Sequence, residues 1–295
     1  MNSIYLGSGL LYIAAAKGYF AQEGVDVTLQ PYTSGRDALD ATLEKRANLG
    51  TSATLPVMFA VMGGQSVSVV ATIFTARRIH GIVARRDRGI TTLADLKGKT
   101  VGATLRTDSH FAFGSMLALN RISLSEVRVE NFQAENIVEA LKTGKVDAVS
   151  TWEPWITTAS KALGANGVVF RAENGFVSEF SLVGQADWIQ ANPEKTQRLL
   201  RALLRSKRFV DEKPQEAQDI LVESMKMDRA SLDALGTNYH FVVQLDQNLL
   251  ITLEDQARWA IRNKLAEQTV IPNLLSVISM DALTAVSPDA VTIVR

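Results

Sequence analysis

From the N-terminus to about Asn192, runs that suit a buried strand alternate with runs that suit an amphipathic helix. That order leaves few options: it is the pattern of an α/β fold with largely parallel sheets. "VDVTLQPY" alternates like a strand, and "SGRDALDATLEKR" follows as a helix. Ser34 and Asp37 are spaced there as a capping box, and Leu39 and Leu43 share one face. "ANLGTSA" is a short strand. "TLPVMFAVMGG" is a helix with proline in its first turn and a Gly-Gly stop. "SVSVVATIF" is a strand that its composition buries. The middle of the chain repeats the scheme, with "IHGIVARR" and "KTVGATL" as strands. Between them "TTLADLKG" is a short helix capped by Thr92 and Asp95 and ended by Gly98. A helix spans about Ser109–Asn120, and "VRVENFQ", "ENIVEALKTG" and "KVDAVST" read strand, helix, strand.

That last unit echoes an earlier one. "VDVTLQ…ALDATLEKRANLGTSATLP" and "VRVENF…IVEALKTGKVDAVSTWEP" share one order: alternating strand, amphipathic helix, polar turn, buried strand, hydroxyl residues, proline-started helix. Two like-built lobes follow naturally. From Asn192 onward the chain is mainly helical. Asn192-Pro193 reads as a cap before a first-turn proline, and Thr252 with Asp255 as a further capping box. The arginines of "RLLRALLRSKRFV" read as a solvated face rather than a nucleic-acid patch.

Composition narrows the function. Lysine plus arginine equal aspartate plus glutamate at 31 each, so the chain carries no general polyanion-binding charge. It has no cysteine, which excludes disulfides, thiol nucleophiles and cysteine-based metal sites. No window approaches the roughly 18 apolar residues of a membrane span. "LLYIAAA" is short and follows no basic segment, so it does not read as a signal peptide.

In parallel α/β sheets, ligands bind beyond the carboxyl ends of strands, often at helix N-termini. Four such corners carry small hydroxyl residues: Gly7-Ser8-Gly9, Thr51 to Thr54, Arg106 to His110, and Thr151 to Glu153. Each hydroxyl has two readings, a plain helix cap or a ligand contact. Trp152 and Trp155 flank Glu153-Pro154 where a strand ends. Trp152 reads as a stiff apolar wall with one N–H donor, and Trp155 as packing. Glu153 reads either as a first-turn carboxylate or as an acceptor for a ligand N–H.

Catalytic patterns are weak. His80, His110 and His240 show no metal-ligand spacing, and no metal or cofactor is expected. "KGKTVG" holds a Gly-Lys-Thr, but Leu93 stands where a phosphate loop needs its upstream glycine. Ser109 and His110 are adjacent, and neighbours on a helix point apart, so His110 reads as a pocket-edge or surface residue.

"LLYIAAAKGYFAQEGVDV", "ALDATLEKRANLGTSATLP", "TTLADLKGKTVGAT" and "ALKTGKVDAVSTWEPW" together resemble periplasmic solute-binding proteins of the sulfonate, nitrate and taurine type. Proteins that bind thiamine pyrimidine precursors are close relatives of that type. The resemblance covers nearly the whole chain; "KGYF…EG" and "DA…WEPW" are its more specific parts. It implies a two-lobed periplasmic-binding-protein-like α/β fold, each lobe a mostly parallel sheet flanked by helices, with a ligand cleft between lobes. On this basis lobe one spans residues 1–77 plus 186–295 and lobe two 78–185. The implied contacts are Ser8 and Gly9, then Thr51, Ser52 and Thr54, then Thr107, Ser109 and His110, and Trp152 with Glu153. The implied partners are a small-molecule ligand and the membrane subunits of an ABC importer, with no nucleic acid. The implied protein is a non-enzymatic, extracytoplasmic monomer. Two features depart from the family: the strand ahead of "SGLLYIA" is reduced to "NSIYLG", and Asp108 stands in the anion corner near Arg106, Arg77 and Arg78. Two other readings stay open. One is a ligand-sensing domain of a larger receptor. The other is a pyrimidine-precursor binding protein or synthase, although the cysteine-rich motif that the resemblance attaches to the synthases is missing.

Overall fold

The computed structural model describes residues 2–3, 5–172, 176–227, 229–235 and 238–294. The chain divides into two compact units, Met1–Thr75 with Glu179–Arg295, and Ala76–Ser178. Its architecture is mixed α/β, with a helix-flanked sheet in each unit.

The chain enters the first unit through β1 (Asn2–Ser3), which pairs in parallel with β2 (Pro31–Tyr32). The sequence predicts a longer strand over "VDVTLQPY", but only its last two residues join a ladder. β3 (Leu49–Ala53) leads into the helix Thr54–Met62, which stops at Gly63 and Gly64 as predicted. β4 (Val67–Arg77) is buried along nearly its whole length, as a continuous β-branched run requires when both faces are covered.

The second unit carries β5 (His80–Arg85), β6 (Thr100–Ala103), β7 (Arg128–Asn131), β8 (Ala148–Trp152) and β9 (Gly167–Arg171), in the spatial order β7-β6-β8-β5-β9. β6 runs parallel to β7 and β8, whereas β5 runs antiparallel to β8 and β9. The sheet is therefore mixed. Its parallel part is the part with helical crossovers. The two faces have separate cores. Ile82, Val101, Ala148, Phe113 and Leu117 cover one, under the helix Asp108–Leu119; Val83, Val149, Ile137, Leu141 and Ile156 cover the other.

The chain returns through β10 (Val177–Gln185), which pairs antiparallel with β3, and β11 (Tyr239–Gln244), giving the order β11-β4-β10-β3. The helix Pro193–Glu212 starts on its proline, but the Asn192 side chain does not cap it; its amide donates to the Trp188 carbonyl instead. The arginine-rich face of this helix is anchored. Arg201 and Arg205 hold Glu23 at 2.8 and 3.4 Å, and Arg201 foremost keeps that carboxyl below its usual pKa. Thr252 is no cap either. The helix Gln247–Arg262 begins earlier, at Asp246, whose side chain accepts the Leu249 N–H, and Thr252 lies buried in mid-helix.

Candidate functional site

In the first unit, the carboxyl end of β3 meets the starts of three helices. Ser8 stands at the start of the helix Gly9–Ala16 and is fully buried. Its hydroxyl does not cap that helix; Oγ lies 2.8 Å from Thr51 Oγ1 on β3. Ser34 does cap: it accepts the Asp37 N–H at 3.1 Å and donates to Asp37 Oδ2 at 2.7 Å. Thr54 opens the third helix and accepts a hydrogen bond from Gln256 Nε2 at 2.8 Å. Ser52, also buried, has its Oγ 3.2 Å from the Ala53 carbonyl.

Glycine allows this convergence. A Cβ on Gly7 or Gly35 would stand 2.6 or 2.8 Å from the Phe180 ring, and one on Gly9 would stand 2.7 Å from Phe241. Phe180 in turn packs edge-on against Tyr5 at 5.1 Å between ring centroids. Next to it, buried Glu179 accepts a hydrogen bond from Asn248 Nδ2 at 2.7 Å. Three helix starts thus turn their N–H ends and positive dipoles toward one hydroxyl-rich corner.

The second unit has a corner of its own at the start of the helix Asp108–Leu119. Thr107 Oγ1 donates to the Thr104 carbonyl at 2.7 Å and lies 3.1 Å from Ser109 Oγ, so its hydroxyl is not spent on capping. Ser150 on β8 donates to the Ser109 carbonyl at 3.3 Å. Asp108 is 3% exposed and accepts a hydrogen bond from Ser178 Oγ at 2.8 Å.

His110 is buried, contrary to a surface placement, because its helix packs flat on the sheet. Its Nδ1 lies 3.5 Å from the Arg106 amide. Burial pushes its pKa down to about 4, and that of His80 to about 3. Both imidazoles are neutral at pH 7, so they offer hydrogen bonds rather than positive charge. Trp152 is half-buried and stands directly opposite His80 across the β5–β8 pair. His80 and Phe111 both pack on Phe176, at 5.8 and 5.2 Å between centroids. Glu153 faces another group: it pairs with Arg171 at 2.6 Å and accepts the Thr157 N–H at 3.1 Å. That is the first-turn carboxylate reading.

Two further hydroxyls belong to this unit: Thr151, from the fourth corner, and Thr104, which the sequence reading did not single out. Ala103 pairs with Ser150, so Thr104 and Thr151 follow side by side at the ends of adjacent parallel strands. Both are buried, and neither Oγ1 has a hydrogen-bond partner among the described residues. An unpaired buried hydroxyl costs about 1–3 kcal/mol. The sequence signal was present in "GAT" and "VST", each a buried run closing on threonine, but only strand pairing brings the two together.

The described residues contain no group of three histidine, aspartate or glutamate side chains fit for a metal. Gly98 has φ +73° directly after the short helix Leu93–Leu96. It is the predicted helix stop, not part of a phosphate loop.

Two helix-flanked mixed sheets define the periplasmic-binding-protein class of fold. The chain belongs to the NMT1/THI5-like family, whose model matches residues 8–217. The alkanesulfonate-binding protein SsuA of Xanthomonas axonopodis pv. citri, solved with MOPS bound, shares this fold. It has a TM-score of 0.81 and 17% identity, over 95% of this chain and 96% of that one. A Brucella abortus (strain 2308) protein named for a supposed binding role is 23% identical over 240 residues, 79% of this chain and 73% of its own. The 4-amino-5-hydroxymethyl-2-methylpyrimidine phosphate synthase of Aspergillus parasiticus is 25% identical over 232 residues, 72% of this chain and 66% of its own. Among the described residues no helix is long and apolar enough to cross a membrane.

Proposed function

We propose that this protein binds a small polar or anionic solute, of the aliphatic sulfonate, taurine or nitrate kind, and delivers it to an ABC importer outside the cytoplasm. The observation that carries the reading is the set of buried hydroxyls not used to cap their own helices, chiefly Ser8 with Thr51 in the first unit and Thr107 with Ser109 in the second. A protein that only needed helix caps would turn these hydroxyls onto its own amides, as Ser34 does. Hydroxyls and helix N-termini bind an oxyanion without a formal positive charge. The neutral histidines fit that mode. The carboxylate of Asp108 suits a hydrogen-bond donor on the ligand and disfavours a second anionic group near it.

The contacts proposed are Ser8, Gly9, Thr51, Ser52 and Thr54 in the first unit. In the second they are Thr107, Ser109, His110 and Trp152, while Glu153 would have to leave Arg171 to take part. Calorimetry and thermal shift over alkanesulfonates (MOPS included), taurine, nitrate and aminopyrimidines test the reading. A ligand at about 100 times Kd adds roughly 2.7 kcal/mol of stability. One ligand whose affinity falls with both Ser8→Ala and Ser109→Ala supports a single solute served by both units. No hit in the whole panel overturns the importer reading. Turnover of an aminopyrimidine by the purified protein favours the synthase reading, which the Aspergillus relative keeps in play.

A further inference from the structure

The hydroxyls of Thr104 and Thr151 do nothing for the local structure. Each residue closes a buried run, "GAT" or "VST", at a place where valine has the same shape, suits a strand and has no polar atom to bury. Both are nevertheless threonine, 4% and 0% exposed. The register that sets Val101 beside Ala148, Gly102 beside Val149 and Ala103 beside Ser150 makes them neighbours. The Phe132 N–H donates to the Ala103 carbonyl at 2.9 Å, so the β6–β7 ladder runs on to the start of Thr104. The Thr107 hydroxyl then holds the Thr104 carbonyl at 2.7 Å. Counting by twos from Gly102 and Val149 puts both threonine side chains on the sheet face that Phe132, Val149 and Ile156 cover. That is the face opposite the helix Asp108–Leu119. Gly81, directly across from Thr151 on β5, adds no side chain to the row.

What these hydroxyls lack follows from their chemistry. Each has one hydrogen to give and two lone pairs, and neither oxygen has a hydrogen-bond partner among the described residues. A ligand N–H would use a lone pair and leave both hydrogens unplaced. A water would take both hydrogens but bring two of its own that need acceptors. An oxyanion oxygen takes both and brings none. We propose that Thr104 and Thr151 donate together to one oxygen of an anionic ligand head. They are then specificity residues, selecting an oxyanion over an amine or an aminopyrimidine. The assignment rests on the solute-binding reading above and narrows its ligand. Glu153, two residues after Thr151, does not oppose it, because Arg171 compensates that carboxylate at 2.6 Å. Since the two hydroxyls find their partner only in the complex, they cost the empty protein stability and restore it on binding.

The test compares the parent protein with Thr104→Val, Thr151→Val and Thr151→Ser. Calorimetry uses ethanesulfonate, taurine, MOPS, nitrate and an aminopyrimidine as probes, and thermal melts are run on the empty protein. Each valine variant should bind the oxyanions that the parent binds at least about tenfold more weakly, yet melt no lower than the parent when empty. Thr151→Ser should keep most of the affinity. A hydroxyl with a merely structural role would not give that opposition of affinity and stability. A lower melting temperature in either valine variant shows a hydroxyl already paired in the empty protein and overturns the proposal. So does unchanged affinity for an oxyanion that the parent binds, in which case the solute-binding reading survives without it. Affinity lost for the aminopyrimidine alone overturns the choice of an oxyanion. If no probe binds the parent, the importer reading falls and this assignment falls with it.

Discussion

Acid should unfold the second unit well before its carboxylates titrate. His80 is buried beside Phe176, and His110 is buried in the helix Asp108–Leu119; burial lowers their pKa values to about 3 and about 4. In the unfolded chain each returns to about 6.5. Between pH 6.5 and pH 4 the unfolded state therefore binds more protons than the native state, and stability falls as pH falls. At pH 5 each imidazole withholds about 2 kcal/mol relative to pH 7, about 4 kcal/mol for the pair. Burial raises the carboxyl of Asp40 in the first unit, which acts in the opposite sense there and leaves the second unit's loss unchanged. Asp87 and Asp95, lowered to about 2 by hydrogen bonds from Arg85 and from the Thr91 and Thr92 amides, weaken the fold only at lower pH. The assay is urea unfolding at pH 7 and pH 5, followed by fluorescence. Trp152 and Trp155 report on the second unit, and Trp188 and Trp259 on the first. His80→Leu should reduce the acid loss in the second unit to about 2 kcal/mol. A second unit equally stable at both pH values, or a loss unchanged in His80→Leu, would refute the argument from buried neutral imidazoles.

Other expectations can be checked on the same material. Gly35→Ala places a Cβ 2.8 Å from the Phe180 ring and 3.1 Å from the Ser52 Cα; overpacking of this kind costs about 1–3 kcal/mol, and Phe180→Leu should recover part of it in a double-mutant cycle. Asp246→Ala should cost about 1 kcal/mol through loss of the helix cap, and equilibrium unfolding should show it. Thr151→Val removes a buried hydroxyl without a partner, so it should leave the empty protein as stable as the parent or more so. Trp152→Ala should weaken ligand binding at least about tenfold, or about 1.4 kcal/mol, while lowering the stability of the empty protein by under about 1.5 kcal/mol.

Elements governed by local rules were legible. The Gly-Gly stop after Met62, the capping box at Thr92 and Asp95, and the buried β4 all follow from residues a few positions apart. Pairing was not. "VDVTLQ" has the alternation of a strand, but a strand needs a neighbour, and no ladder forms along it. Nor does composition reveal that β5 turns antiparallel to β8 and β9. The β8 run "AVSTW" reads equally well in either direction, and direction is set by the connection that precedes it. Thr104 was not read as a neighbour of Thr151 for the same reason. Nothing within either run says that the other lies beside it.

The hydroxyls at helix starts show where local reading ends. Ser34, Thr92 and Ser123 all bond their own helix or turn, and each has an acid three residues on: Asp37, Asp95 and Glu126. Ser8 and Thr107 have Leu11 and His110 at that position, and neither caps. Without a carboxylate to complete the reciprocal pair, the hydroxyl turns away from its own helix: Ser8 to Thr51, and Thr107 to the Thr104 carbonyl and Ser109. The spacing is necessary for the box but does not suffice. Thr252 has Asp255 three residues on and sits in mid-helix, because Asp246 had already started that helix. A hydroxyl at a true helix start with no acid at the third position is thus the sequence mark of a group left over from local structure. Among the described residues Ser287 is also such a group, but it is only half-buried; Ser8 and Thr107, the two that are buried, lie at the corners proposed to hold the ligand.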